Sequence, residues 1–315
     1  EVVRRFALPA AGTVLLLFYA SRLDLGALWA KVLNFPLPTA AFVIAINAAC
    51  GLVKALRWRR FLLRLVTRTE FPRAYLAVHA GFFMGLVTPG TAGEFSRAAS
   101  LDRDRARGVA VILLEKLTDL GSLGALAVLT ASTYFATPVA VGGTIVLMLV
   151  LCGFAYVSYP RLRRLAERPV KALVLRLASA EGAESAGRVY LEFNRLADSA
   201  ASVAESVLFS GALWLLSLGQ VALIYFGLGF MPPPRFVALT YFLPYLVGIV
   251  SLVPLGLGAF DLSLREIGLR SAEGIPGDVV AVVPAFFRAF VTVPLVVFGY
   301  GCQLSLSMGR RKPRA

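Results

Sequence analysis

T-P-G-T-A-G-E-F-S-R, Thr88 to Arg97, is the stretch on which the reading of this chain turns. An apolar run, Ala74 to Val87, leads into it. A proline, two glycines, a carboxylate and an arginine then follow within a few residues. Proline and glycine break helices, and Glu94 and Arg97 are costly in hydrocarbon. In a soluble protein this would be an ordinary loop. In a chain as apolar as this one, broken backbone at membrane depth survives only where protein buries it or where it lines a wet cavity. A second stretch has the same character: V-P-L-G-L-G-A-F-D-L-S-L-R-E, Val253 to Glu266.

The composition explains why a membrane is the right frame. Of 315 residues, 58% are hydrophobic and 16% are charged, against about 25% charged in soluble domains. Mean hydropathy is +0.76. Several apolar runs reach the roughly 20 residues that cross a bilayer core. They do not alternate at period two, which excludes a transmembrane β-barrel. The net charge of +14 sits between the apolar runs. It is read as the positive-inside rule with attraction to anionic lipid, not as a nucleic-acid surface. Cys50, Cys152 and Cys302 lie singly in apolar segments, with no disulfide framework or zinc spacing.

Six full spans are expected, at about 6–23, 37–56, 109–135, 139–159, 207–230 and 279–304. The first follows Arg4 and Arg5 and lacks an A-x-A cleavage site, so it is read as a retained span and not a signal peptide. Arg57, Arg59, Arg60, Arg64, Arg68 and Arg73 form one basic loop. Residues 161–206 form another, with amphipathic segments suited to the inner leaflet. Its stretch Ala178 to Gly187 is the expected flexible point. An even number of crossings must separate two cytoplasmic loops, yet three apolar segments lie between them. The short segment ending at Thr88–Arg97 is therefore expected to enter and leave on the cytoplasmic side. By the same count, Phe236 to Glu266 enters and leaves on the outside. The fold class is thus an all-α polytopic membrane protein of about six full spans plus two re-entrant helical hairpins. A single transmembrane domain, 1–315, holds two inverted-topology units, about 37–136 and 207–304, with both termini cytoplasmic. Inverted units meeting at broken helices are a transporter architecture.

Charges inside the apolar segments mark the candidate site. Glu115 and Asp119 are spaced i, i+4 and share a helix face, while Lys116 points about 100° away. Arg288 lies ten residues beyond Asp278, about 15 Å along a helix. It should face a partner or a cavity, with Glu94, Asp119 or Asp261 as the expected partners. Arg288, Lys116 and Arg97 are candidates to hold a phosphate. Gly90, Gly93, Gly256 and Gly258 permit tight turns and close backbone approach, and exposed N–H groups there can form an anion nest. His79 is read as a buried, hydrogen-bonded histidine. No metal cluster, P-loop, nucleophile triad or dinucleotide fingerprint occurs, so no cofactor or metal is expected and no catalytic residue is assigned.

These motifs resemble the lysylphosphatidylglycerol synthase transmembrane family. That family includes the membrane domain of the multiple peptide resistance factor and stand-alone flippase-like proteins. Pro89, Gly90, Gly93, Glu94 and Arg97 match its P-G-x-x-G-E-x-x-R turn. Glu115 and Asp119 match its E-R-x-x-D, with Lys116 at the arginine position. Pro254, Gly256, Leu257 and Gly258 match its P-x-G-L-G-x-x-E turn, with Asp261 at the glutamate position. Arg288 matches its last-span arginine, and Arg57 with Trp58 its R-W pair. Lysine in place of arginine removes bidentate phosphate contact.

The resemblance implies a flippase-like transporter in the cell membrane, not an enzyme. It would move an anionic phospholipid or a polyprenyl-phosphate-linked glycolipid between leaflets. With nothing the size of a soluble synthase domain after Leu304, a transporter is expected rather than a synthase, and with no ATPase motif transport is expected to be passive or ion-coupled. Membrane lipids are the expected partners, with a lipid-modifying enzyme as a second. The alternatives are a scaffold for a lipid-modifying glycosyltransferase and a membrane-bound lipid-phosphate transferase using Glu94 or Asp261 as base.

Overall fold

The computed structural model describes residues 14–134 and 180–311, apart from positions 16, 20, 22, 23, 102, 103, 272 and 273. The expected fourth span, the 161–179 part of the basic loop and most of the first span lie outside the described residues. The described elements are helical: α1 (Leu25–Leu33), α2 (Leu37–Arg64), α3 (Phe71–Val87), a 3₁₀ segment (Pro89–Ser100), α4 (Arg105–Ser132), α5 (Ala180–Ala197), α6 (Ala200–Gly227), α7 (Pro234–Val250), a 3₁₀ turn (Pro254–Gly256), α8 (Ala259–Ser271), α9 (Gly277–Phe287), a π turn (Arg288–Thr292) and α10 (Val293–Arg311). Among the described residues three helices are long and apolar enough to cross a membrane: Leu37–Arg64, Ala200–Gly227 and the run Gly277–Met308.

Proline places many of the starts. α2, α3 and α7 carry proline in the first helical positions, where its fixed φ suits the helix and its missing N–H would be unpaired anyway. Ser199 caps α6 by accepting from the Ser202 amide at 3.2 Å. α5 begins at Ala180, so the expected flexible point is helical over 180–187. Phe193, Leu196 and Ala197 of α5 are buried in a core cluster with Trp58, Phe61 and Ile112. The amphipathic stretch therefore covers protein as well as facing outward.

Both broken stretches fold back on the helix before them. A Cβ on Gly93 would lie 2.1 Å from the Met84 carbonyl oxygen, and one on Gly85 would lie 2.5 Å from Glu94 Cγ. The 3₁₀ segment thus lies against α3, and the Gly93 amide donates to Thr88 Oγ1 at 2.6 Å. α8 packs back on α7 in the same way, with a Cβ on Gly256 only 3.2 Å from Gly248 Cα.

The long helices meet in a recurrent pattern. α2 packs on α6, α3 on α10, and α4 on α7. One end of the molecule gathers the α2 C-terminus and the α6 N-terminus, where Arg64 binds Ser202 and Glu205. The same end holds both ends of the first fold-back, where Arg73 donates to the Ser100 carbonyl at 2.6 Å. The other end joins α1 to α9 through Lys31 and Asp278, 2.7 Å apart. There, too, Phe35 packs on Phe286 with ring centroids 4.9 Å apart.

Candidate functional site

The tips of the two fold-backs approach each other beside a cavity of about 400 Å³. α2, α3, α4, α6, α7 and the π turn contribute its remaining walls. The volume lies within the roughly 300–1,000 Å³ typical of small-molecule sites. Aliphatic and aromatic side chains, among them Phe82, Trp214, Tyr245 and Ile249, alternate on its walls with charged groups.

The first charged group is organised by Arg57. Its guanidinium is 2% exposed and makes a bidentate contact with Asp119, Nη1 to Oδ1 at 2.8 Å and Nη2 to Oδ2 at 3.1 Å. Arg57 Nε faces Glu115 Oε1 at 3.4 Å, an ion pair without hydrogen-bond geometry. The other Glu115 oxygen accepts from Arg97, whose guanidinium lies 4.5 Å from the Trp58 ring centroid. Ser210 Oγ donates to Asp119 at 2.6 Å. One helix face thus presents two carboxylates to two arginines from different elements, as i, i+4 spacing allows. Lys116, rotated away from that face, binds Glu94 and, at 3.1 Å, Thr91 Oγ1. Thr91 has φ 59°, a left-handed value uncommon outside glycine. The lysine ties α4 to the turn that carries this strain.

The second charged group is Arg288 with Asp261. Arg288 Nε donates to Asp261 Oδ1 at 2.8 Å and Nη2 to Oδ2 at 2.9 Å. Nη1 also donates to the Leu255 carbonyl at 2.8 Å and Nη2 to that of Gly256 at 3.3 Å. Asp261 is 0% exposed and accepts from the Gly258 amide at 2.9 Å, so it caps the start of α8. Leu255 at φ 59°, Gly256 at 58° and Gly258 at 75° are all left-handed. Arg288 therefore clamps a turn whose backbone would otherwise be free to relax. It stands on a π turn, whose Phe290 and Val291 carbonyls accept from Asn47 Nδ2 at 3.0 and 3.2 Å. Gln220 Nε2 in turn donates to Asn47 Oδ1 at 2.7 Å. π turns leave carbonyls without a regular helical partner and occur often at functional sites.

Of the residues singled out from sequence, Glu94, Arg97, Glu115, Lys116, Asp119, Gly256 and Arg288 line the cavity. Asp261 lies behind Arg288. Gly258 and Gly93 shape the turns, Gly93 by close approach and not by a positive φ. Pro89 and Gly90 open the 3₁₀ segment. Arg57 was expected in a basic loop, but α2 continues to Arg64 and carries it into the core. Its signal in sequence was the R-W pair. Lys54, one turn earlier, was not singled out at all. It lines the cavity with its ammonium 3.8 Å from the Phe82 ring centroid. His79 is buried against Tyr75 and Phe298, yet its Nε2 has no hydrogen-bond partner among the described residues. The histidine is buried as expected, but it is held by ring packing and by the absence of a side chain on Gly51.

Among the described residues no group of histidine, cysteine or carboxylate side chains could hold a metal. A family model described as "Lysylphosphatidylglycerol synthase TM region" matches residues 6–299. No curated protein matches the chain.

Proposed function

This chain belongs to the lysylphosphatidylglycerol synthase transmembrane family, and on that premise we propose that it is a flippase-like transporter for a phosphate-bearing anionic lipid. The membership itself points to a lipid-related role in a membrane. Translocation is the further step. The observation that carries it is the charged cavity of about 400 Å³ placed where two broken helices meet. A polar head group needs such a path, because charge in hydrocarbon is costly and non-helical backbone there must be covered or wet.

The packing pattern supports an inverted arrangement. If α2, the first fold-back and α4 form one unit, then α6, the second fold-back and α9–α10 form its counterpart. The observed contacts, α2 on α6, α3 on α10 and α4 on α7, are the set that a two-fold relation between such units would produce. Both ends of the first fold-back lie at the basic end of the molecule. Both ends of the second connect through α6 and α9 at the other. Two re-entrant hairpins from opposite faces, with the basic end cytoplasmic, follow from that reading. The membrane would be the cell membrane.

The test is a proteoliposome assay with a head-group-reporting fluorescent phospholipid and a membrane-impermeant quencher. With the protein, the quencher should reach inner-leaflet lipid as well. A loss confined to the outer-leaflet fraction, equal to that of protein-free vesicles, would falsify the transport reading.

A further inference from the structure

The charges around the cavity do not balance. Four cations each have a carboxylate: Arg57 with Asp119 and Glu115, Arg97 with Glu115, Lys116 with Glu94, and Arg288 with Asp261. The fifth, Lys54, has no hydrogen bond and no carboxylate at ion-pair distance among the described residues. Its ammonium has only the face of the Phe82 ring, 3.8 Å from the centroid. Glu94 and Asp119 act on it from further off, but each already binds another cation. Counted as five Arg and Lys side chains against four Asp and Glu, these groups leave the cavity one positive charge in excess. A lone ammonium on the wall of a largely apolar cavity is costly unless water or an anion meets it.

The residues first expected to hold a phosphate are poorly free to do so. Arg288 is engaged by Asp261 and two carbonyls. Arg97 and Lys116 are each bound by a carboxylate. Lys54 keeps three N–H donors for a ligand. The cavity is too large for a halide alone, and its aromatic and aliphatic walls suit a ligand with an apolar part.

We infer that Lys54 is the phosphate-holding cation of this cavity, and that the cavity accepts one monoanionic phosphodiester carried by a lipid. The inference rests on the transport reading for its source of ligand. The charge follows from the balance above. A singly charged diester neutralises Lys54, whereas a phosphomonoester brings a second negative charge with no cation left to meet it. A zwitterionic head group brings its own cation and cancels the attraction.

The experiment is lipid binding to the full chain in detergent, read by native mass spectrometry. The probes are phosphatidylglycerol, phosphatidylcholine, phosphatidic acid and the free diester glycerophosphoglycerol. The wild-type protein should prefer phosphatidylglycerol to all three others. Lys54→Met should lose about tenfold or more of that affinity, as expected for one charge-assisted hydrogen bond. Lys54→Arg should keep part of it, and Arg105→Met, at the surface, all of it. In lipid-free detergent Lys54→Met should melt no lower than wild type, because an unpaired charge is removed. Equal phosphatidylglycerol affinity in Lys54→Met, or a preference for phosphatidylcholine or phosphatidic acid, overturns the inference. Glycerophosphoglycerol binding as tightly as the lipid overturns the lipid source. Lys54-dependent binding without translocation sinks the transport reading alone. Translocation with unchanged binding in Lys54→Met sinks this inference alone.

Discussion

Removing the Arg57 guanidinium leaves Asp119 and Glu115 on one helix face with the cation between them gone. Breaking a buried ion pair from one side costs about 3–5 kcal/mol. Arg57→Met should therefore lower the melting temperature in detergent markedly, and Arg57→Lys less, since it keeps charge but loses the planar fork. An unchanged melting temperature in Arg57→Met would show that the contact carries no stability. Arg288 gives a second case at this scale. Arg288→Ala strands Asp261, which is 0% exposed, and frees the Leu255 and Gly256 carbonyls. A loss of about 3–5 kcal/mol is again expected, so transport failure in that variant alone says little about ligand contact. Combining Arg288→Met with Asp261→Leu should recover the share of that loss due to the stranded carboxylate, because an apolar pair can replace a buried ion pair, but not the share due to the unpaired carbonyls. A double variant as stable as wild type would count against the clamp, because it too lacks the bonds from Arg288 to the Leu255 and Gly256 carbonyls. Arg57 was legible in the sequence as one arginine among six near the end of an apolar run and as half of the R-W pair. Burial was decided by α2 continuing through Arg64.

At the scale of elements, the two fold-backs depend on different glycine properties. Gly93→Ala puts a methyl 2.1 Å from the Met84 carbonyl oxygen, so the 3₁₀ segment must move off α3. The overpacking cost is about 1–3 kcal/mol. Gly258→Ala meets a φ of 75°, a left-handed value that costs an L-residue about 1–2 kcal/mol. Urea or thermal unfolding in detergent reads both. A Gly93→Ala protein as stable as wild type would mean that the fold-back does not pack as described. The sequence marked both turns through Pro, Gly and charge. It did not show that a threonine and two leucines, Thr91, Leu252 and Leu255, would carry positive φ, because nothing local requires that conformation of them.

For the whole molecule, the orientation of the fold-backs can be read by labelling. In a background lacking Cys50, Cys152 and Cys302, single cysteines at Arg60 and Arg105 should react with an impermeant thiol reagent from the cytoplasmic side. A cysteine at Asp278 should react from the outside only. If Arg60 and Arg105 label from opposite faces, the first fold-back crosses the membrane and the inverted arrangement is lost. The net charge of +14 fits this orientation, since the α2 C-terminus, the α4 N-terminus and the α10 C-terminus all carry arginines.

Several properties of this protein follow from its sequence alone. Mean hydropathy makes it a membrane chain, Pro–Gly interruptions set where its helices break, and i, i+4 spacing puts Glu115 and Asp119 on one face. These are local properties, carried by composition and by contacts along a single helix. Only the tertiary structure decided which charges meet. Arg288 had three carboxylates open to it and took Asp261, because α8 folds back toward the π turn. Arg57 reaches Asp119 across 62 residues because α2 packs beside α4. Among the described residues Lys54 is left without a carboxylate because the two that act on it, Glu94 and Asp119, already bind Lys116 and Arg57. Such pairing depends on how helices far apart in sequence are laid side by side, and periodicity within one helix holds no record of it.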